Sequence, residues 1–334
     1  MPRILLTGGL GYIGSHTGFE LLDAGYEITI VDNCSNSSER VLDQFETYCN
    51  TRPDFFNGDI RDSKFLETVF AQKPIDAVIH FAALKAVDES FEKRDEYFDV
   101  NVEGTRVLCE VMEQFGVHRL VYSSSATVYG VPERNPIPET ARLSATNPYG
   151  ETKLACEKLL IDVATQSPAW SVIILRYFNP AGAHQSGLLG EAPKKAANIA
   201  AAILEVLRGI RAEVVINGVD YPTPDGTCIR DFIHVVDVAR AHVVALKAMD
   251  TSTGCKIYNI GTGRGQSVKE MIVAFENAAN QSIATRVGPR RDGDVVVAIA
   301  DPTKIERELG WRAQHTLQDI AESAVAWIRK SAHR

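Results

Sequence analysis

Apolar and polar positions alternate along the first half of the chain in two repeating patterns. Short apolar runs of four to eight residues read as strands buried on both faces, and the segments between them carry helical periodicity. "RILLT" (3–7) is the first strand and stops at glycines. "IGSHTGFELLDAG" (13–25) has helical spacing and ends on Gly25, and "EITIVD" (27–32) is a second strand. A helix over 38–50 and a strand over 54–59 follow. Asp62 is placed to cap "SKFLETVFAQ", and "DAVIHFAA" (76–83) is the fourth strand. A long helical region runs to about Gly116. "RLVYSSS" (119–125), a helix over 149–165 and "SVIILRYF" (171–178) complete the series. Strands alternating with helices predict an α/β fold with a doubly wound parallel sheet of the Rossmann type.

After Asn179 the regularity breaks, with loops at 217–227 and 288–294. The pattern predicts a nucleotide-binding domain over 1–178 and a smaller α/β substrate domain over 179–334. A segment of about 234–261 returns to the first domain.

The glycine run decides what the first strand serves. "TGGLGYIG" sets Gly8, Gly11 and Gly14 between strand and helix. Glycine permits the tight turn and lets backbone approach a pyrophosphate, and the helix N-terminus offers amide donors. Asp32 ends the next strand, where a carboxylate accepts the adenosine-ribose hydroxyls and repels a 2′-phosphate. No Lys or Arg follows before Arg40, so NAD is favoured over NADP.

A second pattern carries chemistry. In "NPYGETK" (147–153), Tyr149 and Lys153 lie four residues apart, one turn on a helix. A free phenol ionises near ~10, and a nearby cation pulls that value toward use as a base.

Composition narrows the classes. Of 334 residues, 45% are hydrophobic and 23% charged, with net charge −8, which argues against a nucleic-acid binder. The six cysteines at 34, 49, 109, 156, 228 and 255 show no C-x-x-C spacing, so the chain reads as a reduced cytoplasmic protein with no metal site. "MPRILLTGG" is too short an apolar run for a signal peptide. The longest apolar stretch, 196–207, is too short to span a bilayer.

The glycine spacing with Tyr-x-x-x-Lys resembles the extended short-chain dehydrogenase/reductase superfamily, which pairs the two with an upstream serine; here Ser123, Ser124 and Ser125 are available. Nearly the whole chain resembles the UDP-glucose (UDP-galactose) 4-epimerase family. The carriers are "TGGLGYIGSHT", "VDNCSNS", "GDIRD", "HFAALKAVDES", "SSSATVYG", "PYGETK", "LRYFNPAGAH", "DGTCIRDFIHV" and "GPRRDGD".

That resemblance implies a reaction. Tyr149 takes the proton of the sugar 4-hydroxyl, C4 gives hydride to a tightly bound NAD that is regenerated each turnover, and the 4-keto sugar turns over. Lys153 holds the nicotinamide ribose and, with the cofactor's charge, depresses the phenol. Ser125 bonds the reacting hydroxyl. For the cofactor the resemblance adds Tyr12, Ile13, Asn33, Asn36, Ser37, Asp59, Ile60, Phe81, Ala82, Ala83, Lys85 and Phe178 to the glycines and Asp32. For a UDP-sugar it gives Lys85, Thr127, Tyr177, Asn179, Asn198, Ile199, Arg230, Arg291 and Asp294. It also implies a homodimer through helices at 101–116 and 149–165, with Val107, Leu108, Val111, Leu154, Leu159 and Leu160 as apolar positions.

Four departures from the family pattern stand out. Val100 precedes Asn101 where paired asparagines are common. "KKAANIAAA" around Asn198 lacks the usual prolines. Asn217 replaces an aromatic residue. Ala298 stands where members restricted to plain hexoses carry tyrosine, leaving volume for an acetamido group, so UDP-GalNAc and UDP-GlcNAc become expected substrates. The alternatives are a UDP-pentose or UDP-uronic acid epimerase, a nucleotide-sugar 4,6-dehydratase and a non-catalytic NAD-binding regulator. Ala126, Thr127 and Val128 supply no carboxylate for the dehydratase's elimination, and a regulator has no need of Ser125, Tyr149 and Lys153 together.

Overall fold

The computed structural model describes residues 1–192, 196, 198–291 and 293–331. The chain sorts into two compact units. The first takes Met1–Gly130, Leu143–Arg176 and Ala239–Tyr258; the second takes Val131–Arg142, Tyr177–Val238 and Asn259–Arg334.

The first half runs β1 (Arg3–Thr7), α1 (Tyr12–Asp23), β2 (Glu27–Asp32), α2 (Arg40–Cys49), β3 (Asp54–Asn57), α3 (Ser63–Gln72), β4 (Ala77–His80), α4 (Val87–Glu92), α5 (Arg94–Phe98), α6 (Gly104–Gln114), β5 (Arg119–Ser125), α7 (Pro148–Gln166) and β6 (Ser171–Tyr177). Then come β7 (Asn179–Ala181), α8 (Ile199–Leu207), β8 (Val214–Asn217), β9 (Ile229–Arg230), β10 (Phe232–His234), α9 (Val235–Ala248), β11 (Gly254–Ile260), β12 (Gln266–Ser267), α10 (Val268–Ala279), β13 (Thr285–Gly288), β14 (Val297–Ala298), α11 (Thr303–Leu309) and α12 (Leu317–Ser331).

The main sheet has the order β11-β6-β5-β4-β1-β2-β3. The pairs from β3 through β2, β1 and β4 to β5 are parallel, with Leu5 opposite Thr29 on one side and Val78 on the other. The order reverses between β1 and β4, so their carboxyl ends open the crevice where doubly wound folds bind ligands. Both faces of the sheet are covered. Leu5, Val31, Val78, Leu120, Val172 and Ile174 share one core with Leu66, Val69 and Phe70 of α3, Val107, Leu108 and Val111 of α6, and Cys156 and Leu160 of α7. Each such side chain contributes roughly 1.5–3 kcal/mol by leaving water.

The long helical region expected up to Gly116 is broken. α4 and α5 are short, and a π-helical turn at Asp99–Glu103 leads into α6. That turn holds Asn101 inward at 1% exposure. Asp62 caps α3 by accepting the Phe65 N–H, as its position predicted.

In the second unit, β12-β9-β14 form a small sheet, and β10/β7 and β13/β8 are parallel pairs. Ile203, Phe275, Ile320 and Trp327, from α8, α10 and α12, pack its core. Val131–Arg142 joins this unit through Ile137, whose N–H donates to the Ile299 carbonyl at 2.8 Å.

Candidate active site

The turn after β1 is shaped by backbone crowding. Gly8 has φ +69°, and a Cβ there would stand 2.6 Å from the Ala82 nitrogen in the loop after β4. A Cβ on Gly14 would stand 2.5 Å from the Gly8 carbonyl oxygen. Gly11 precedes α1 with no side-chain cap bond, and the first turn carries no acidic residue. The helix therefore offers its first amides and positive end to an anion.

Asp32 closes the acidic side of this turn. Its carboxylate accepts the N–H of Leu10 (3.1 Å), the N–H of Cys34 (2.9 Å) and the Ser37 hydroxyl (2.8 Å). A carboxylate has about four acceptor sites, so capacity remains for a ribose hydroxyl. Arg61 grips Asp59 through Nε and one terminal nitrogen and, with a smaller contribution from Asn33, holds that carboxyl below its usual range. Phe81 and Ala82 both donate to the Thr7 carbonyl, at 2.9 and 3.0 Å, which fixes the loop before Ala83 and Lys85. Tyr12 and Ile13 open α1, with the Tyr12 ring edge-on to His16 at 5.1 Å. Ile60 lies in the core, Asn33, Asn36 and Lys85 are exposed, and Phe178 is buried in the second unit. An uncapped helix end, a glycine cradle and a ribose-ready carboxylate fit a dinucleotide.

α7 brings the reactive pair to the end of β5. Asn147 caps the helix by accepting the Gly150 N–H at 2.8 Å, and Pro148 starts it. Tyr149 is 7% exposed, and Ser125 lies close enough to its phenol to pull it down. Ser125 also accepts the Thr127 N–H at 3.2 Å, so it caps its strand end and reaches the phenol at once. Lys153 donates to the Ser123 carbonyl at 2.8 Å, and its Nζ lies 4.8 Å from the Tyr122 ring centroid and 5.9 Å from that of Tyr149. Burial pushes the Tyr149 phenol up to about 12, against the downward effect of Ser125. In the chain alone the downward pull on the phenol comes from Ser125 and not from Lys153, and burial outweighs it. Burial instead draws Lys153 down to about 8.

The second unit gathers most of the substrate candidates. Arg230 donates to Asp294 Oδ1 and Arg291 to Asp294 Oδ2, each at 3.4 Å. Ala298 is the register partner of Arg230. The neighbouring Arg290 turns elsewhere, to Asp220 (2.8 Å) and over the Tyr221 ring (4.2 Å). Asn217 ends β8 and Tyr177 ends β6, while the Asn179 N–H donates to the Asp231 carbonyl at 3.1 Å. Asn198 caps α8, accepting the Ala201 N–H and donating to Glu191, both at 2.8 Å; Ile199 follows as the first helical residue. Residues 194, 195 and 197 of the "KKAANIAAA" departure lie outside the described residues. In the first unit, the Thr127 hydroxyl oxygen is buried with no hydrogen-bond partner among the described residues.

A family model, the NAD dependent epimerase/dehydratase family, matches residues 4–261. The chain belongs to this family. It is 49% identical over 325 residues to the UDP-glucose 4-epimerase of Bacillus subtilis (strain 168), covering 97% of this chain and 96% of that one. It resembles the crystal structure of UDP-glucose 4-epimerase from Bifidobacterium longum in complex with NAD+ and UDP, with TM-score 0.96, 47% identity and 99% of each chain covered. It also resembles UDP-glucose-4-epimerase from Stenotrophomonas maltophila with bound NAD and formylated UDP-arabinopyranose, with TM-score 0.97, 44% identity, and 100% and 99% covered.

This epimerase-family chain carries further buried polar residues, of which the sequence had marked Asn101 and Ser123. His80 bridges Thr7 (2.6 Å) and Thr105 (3.0 Å), and burial first, then Lys153, draws it down to about 3, so it is neutral. Asn101 clamps Leu84 by both backbone groups (2.8 and 3.0 Å) and donates to Thr152 (2.9 Å), which donates to the Tyr149 carbonyl (2.7 Å). Glu157 pairs with Arg176, and His242 meets Ser123 at 3.0 Å. The available signal was spacing alone: Glu157 lies four residues beyond Lys153. Among the described residues no cluster of His, Cys, Asp or Glu could hold a metal ion, and no helix is long and apolar enough to cross a membrane.

Proposed function

We propose that this chain is an NAD-dependent 4-epimerase of UDP-hexoses, interconverting UDP-galactose and UDP-glucose. The observation that carries the reading is the buried Tyr149 phenol beside Ser125, with Lys153 one helical turn on, in the same unit as the glycine turn. The similarity to UDP-glucose 4-epimerases bound to NAD and uridine nucleotides supports it.

In this reading Gly8, Gly11 and Gly14 let α1 receive the pyrophosphate, and Asp32 accepts the adenosine-ribose hydroxyls. Bound NAD supplies a hydride acceptor and donor. Ser125 orients the sugar 4-hydroxyl toward Tyr149, which takes its proton and later returns it. Lys153 keeps its ammonium against the Ser123 carbonyl and stabilises negative charge on the phenol as it develops. Arg230 and Arg291 bind the diphosphate, since a guanidinium fork matches phosphate oxygens. Asp294, already held by both arginines, accepts uridine ribose hydroxyls. The unpartnered Thr127 hydroxyl gains a partner from the sugar.

Ala298 extends the reading to UDP-GalNAc and UDP-GlcNAc. Ile299 points away from its neighbour, standing against the Gly265 position beside Ile229. The volume on the Arg230 face of β14 is therefore not filled by Ile299. A second reading, turnover of a UDP-pentose, is favoured by the similarity to the enzyme bound to formylated UDP-arabinopyranose.

A homodimer belongs to the same reading. Val107, Leu108, Val111 and Leu160 lie in the core of the first unit and are not available to a partner, while Leu154 and Leu159 are half-buried. Phe91 (60% exposed) and Ile161 (36%) remain on α4 and α7. Light scattering of the purified protein measures the oligomer. Purified protein incubated without added NAD, with UDP-galactose and with UDP-GalNAc, tests the activity through the sugar anomeric protons by NMR. Absence of turnover of UDP-galactose after NAD is supplied overturns the assignment.

A further inference from the structure

Beside the reactive group lies a buried ion pair that the chemistry above does not use. Arg176 of β6 donates from Nε to Glu157 Oε1 (2.9 Å) and from a terminal nitrogen to Oε2 (2.5 Å). The two side chains are 2% and 1% exposed. The Ser124 hydroxyl donates to the same Glu157 Oε1 at 2.5 Å. The remaining guanidinium nitrogen donates to the Tyr129 hydroxyl at 3.0 Å, and the cation stands 5.0 Å from that ring's centroid.

The connectivity has a direction. Glu157 follows Tyr149 and Lys153 at successive four-residue steps of α7, one helical face. Ser124 precedes Ser125, and Tyr129 closes the short helical turn that follows it. One carboxylate–guanidinium unit therefore ties both flanks of Ser125 to the helix that carries the phenol and the ammonium.

Stability alone does not account for the pair. Removing two charges from water costs several kcal/mol per ion, and well-packed apolar side chains of similar volume are often as stable or more so. An apolar pair cannot orient the Ser124 and Tyr129 hydroxyls.

We propose that Glu157 and Arg176 are positioning residues, which hold the Ser124–Tyr129 segment so that Ser125 meets Tyr149 in the reacting geometry. The inference rests on the epimerase reading, and its test separates the two. The double variant Glu157→Leu/Arg176→Met keeps the volume and removes both charges. Its melting temperature is expected to equal or exceed that of the unaltered protein. Its KM for UDP-galactose is expected to stay within about twofold while kcat falls about 10²-fold, the loss typical of a misplaced reacting group. In its crystal structure Ser125 is expected to move away from the Tyr149 phenol with the fold intact. Unchanged kcat with Ser125 still beside Tyr149 makes the pair purely structural and overturns the proposal. If the double variant does not fold, Arg176→Lys keeps the charge without the fork. The same fall in kcat, with KM held, is then required, and its absence overturns the proposal. Failure of the unaltered protein to turn over UDP-galactose sinks the epimerase reading only, since the structural arm still reads the Ser125–Tyr149 contact.

Discussion

Lys153 donates from Nζ to the carbonyl oxygen of Ser123 over 2.8 Å, so β5, rather than the Tyr149 phenol, fixes the ammonium. The charge is buried at 3% exposure, and burial draws it down to about 8 from an ordinary 10.5.

That shift has a stability signature. Below pH 8 both folded and unfolded chains carry the proton; between 8 and 10.5 the unfolded chain binds more, so this residue's contribution to stability rises with pH. Lys153→Met removes the effect. Urea denaturation of both proteins is expected to give a stability difference that is flat below pH 8. It then moves in favour of the unaltered protein by about 1.4 kcal/mol per unit up to 10.5. A flat difference across the whole range contradicts the burial of a charged Lys153.

Tyr149→Phe keeps the ring and removes the hydroxyl that Ser125 contacts. The loss expected in kcat is about 10²–10⁴-fold, that of a general acid–base group. Bound NAD, measured by absorbance after denaturation, is expected to be retained, because the glycine turn and Asp32 are untouched. Activity within about tenfold of the unaltered enzyme contradicts the role given to the phenol.

His80 is fully buried and drawn down to about 3 from 6.5. The unfolded chain binds the extra proton between those values, so stability is lost as pH falls from 6.5 toward 3. Replacing His80 by Gln is expected to lessen this acid sensitivity by about 1.4 kcal/mol per pH unit, read from denaturant midpoints at several pH values. Identical acid profiles refute a buried neutral imidazole.

Gly8→Ala places a Cβ 2.6 Å from the Ala82 nitrogen at φ +69°. Strain of about 1–3 kcal/mol is expected from the backbone alone, and more from the clash. Copurified NAD is the sharper readout, because the loop must withdraw from the turn. Full cofactor content would show that the turn relaxes without harm.

Ala298→Tyr fills the space beside Arg230. Loss of UDP-GalNAc turnover, with UDP-galactose turnover within about threefold, is the outcome expected of a volume filter. Equal loss of both activities argues for general damage to β14.

Much of this protein was determined locally. Apolar runs between helical segments specified the α/β order, because strands buried on both faces need continuous hydrophobic sequence. The glycines, Asp32 and the Tyr149–Lys153 spacing were legible because each acts within one turn or one helix. The long helix expected before Gly116 failed because periodicity does not register one inserted residue, and the π-helical turn at Asp99–Glu103 is what points Asn101 at Leu84 and Thr152.

The tertiary structure decided the rest, since long-range pairing leaves no local trace. Arg176 and Glu157 lie 19 residues apart and Ser124 and Glu157 33, and only the packing of β5, β6 and α7 makes them one network. Burial, a property of the whole fold, set Tyr149 high and Lys153 low, where spacing alone suggested that the cation would lower the phenol. The apolar positions Val107, Leu108, Val111 and Leu160 read equally well as core or interface until the sheet claimed them.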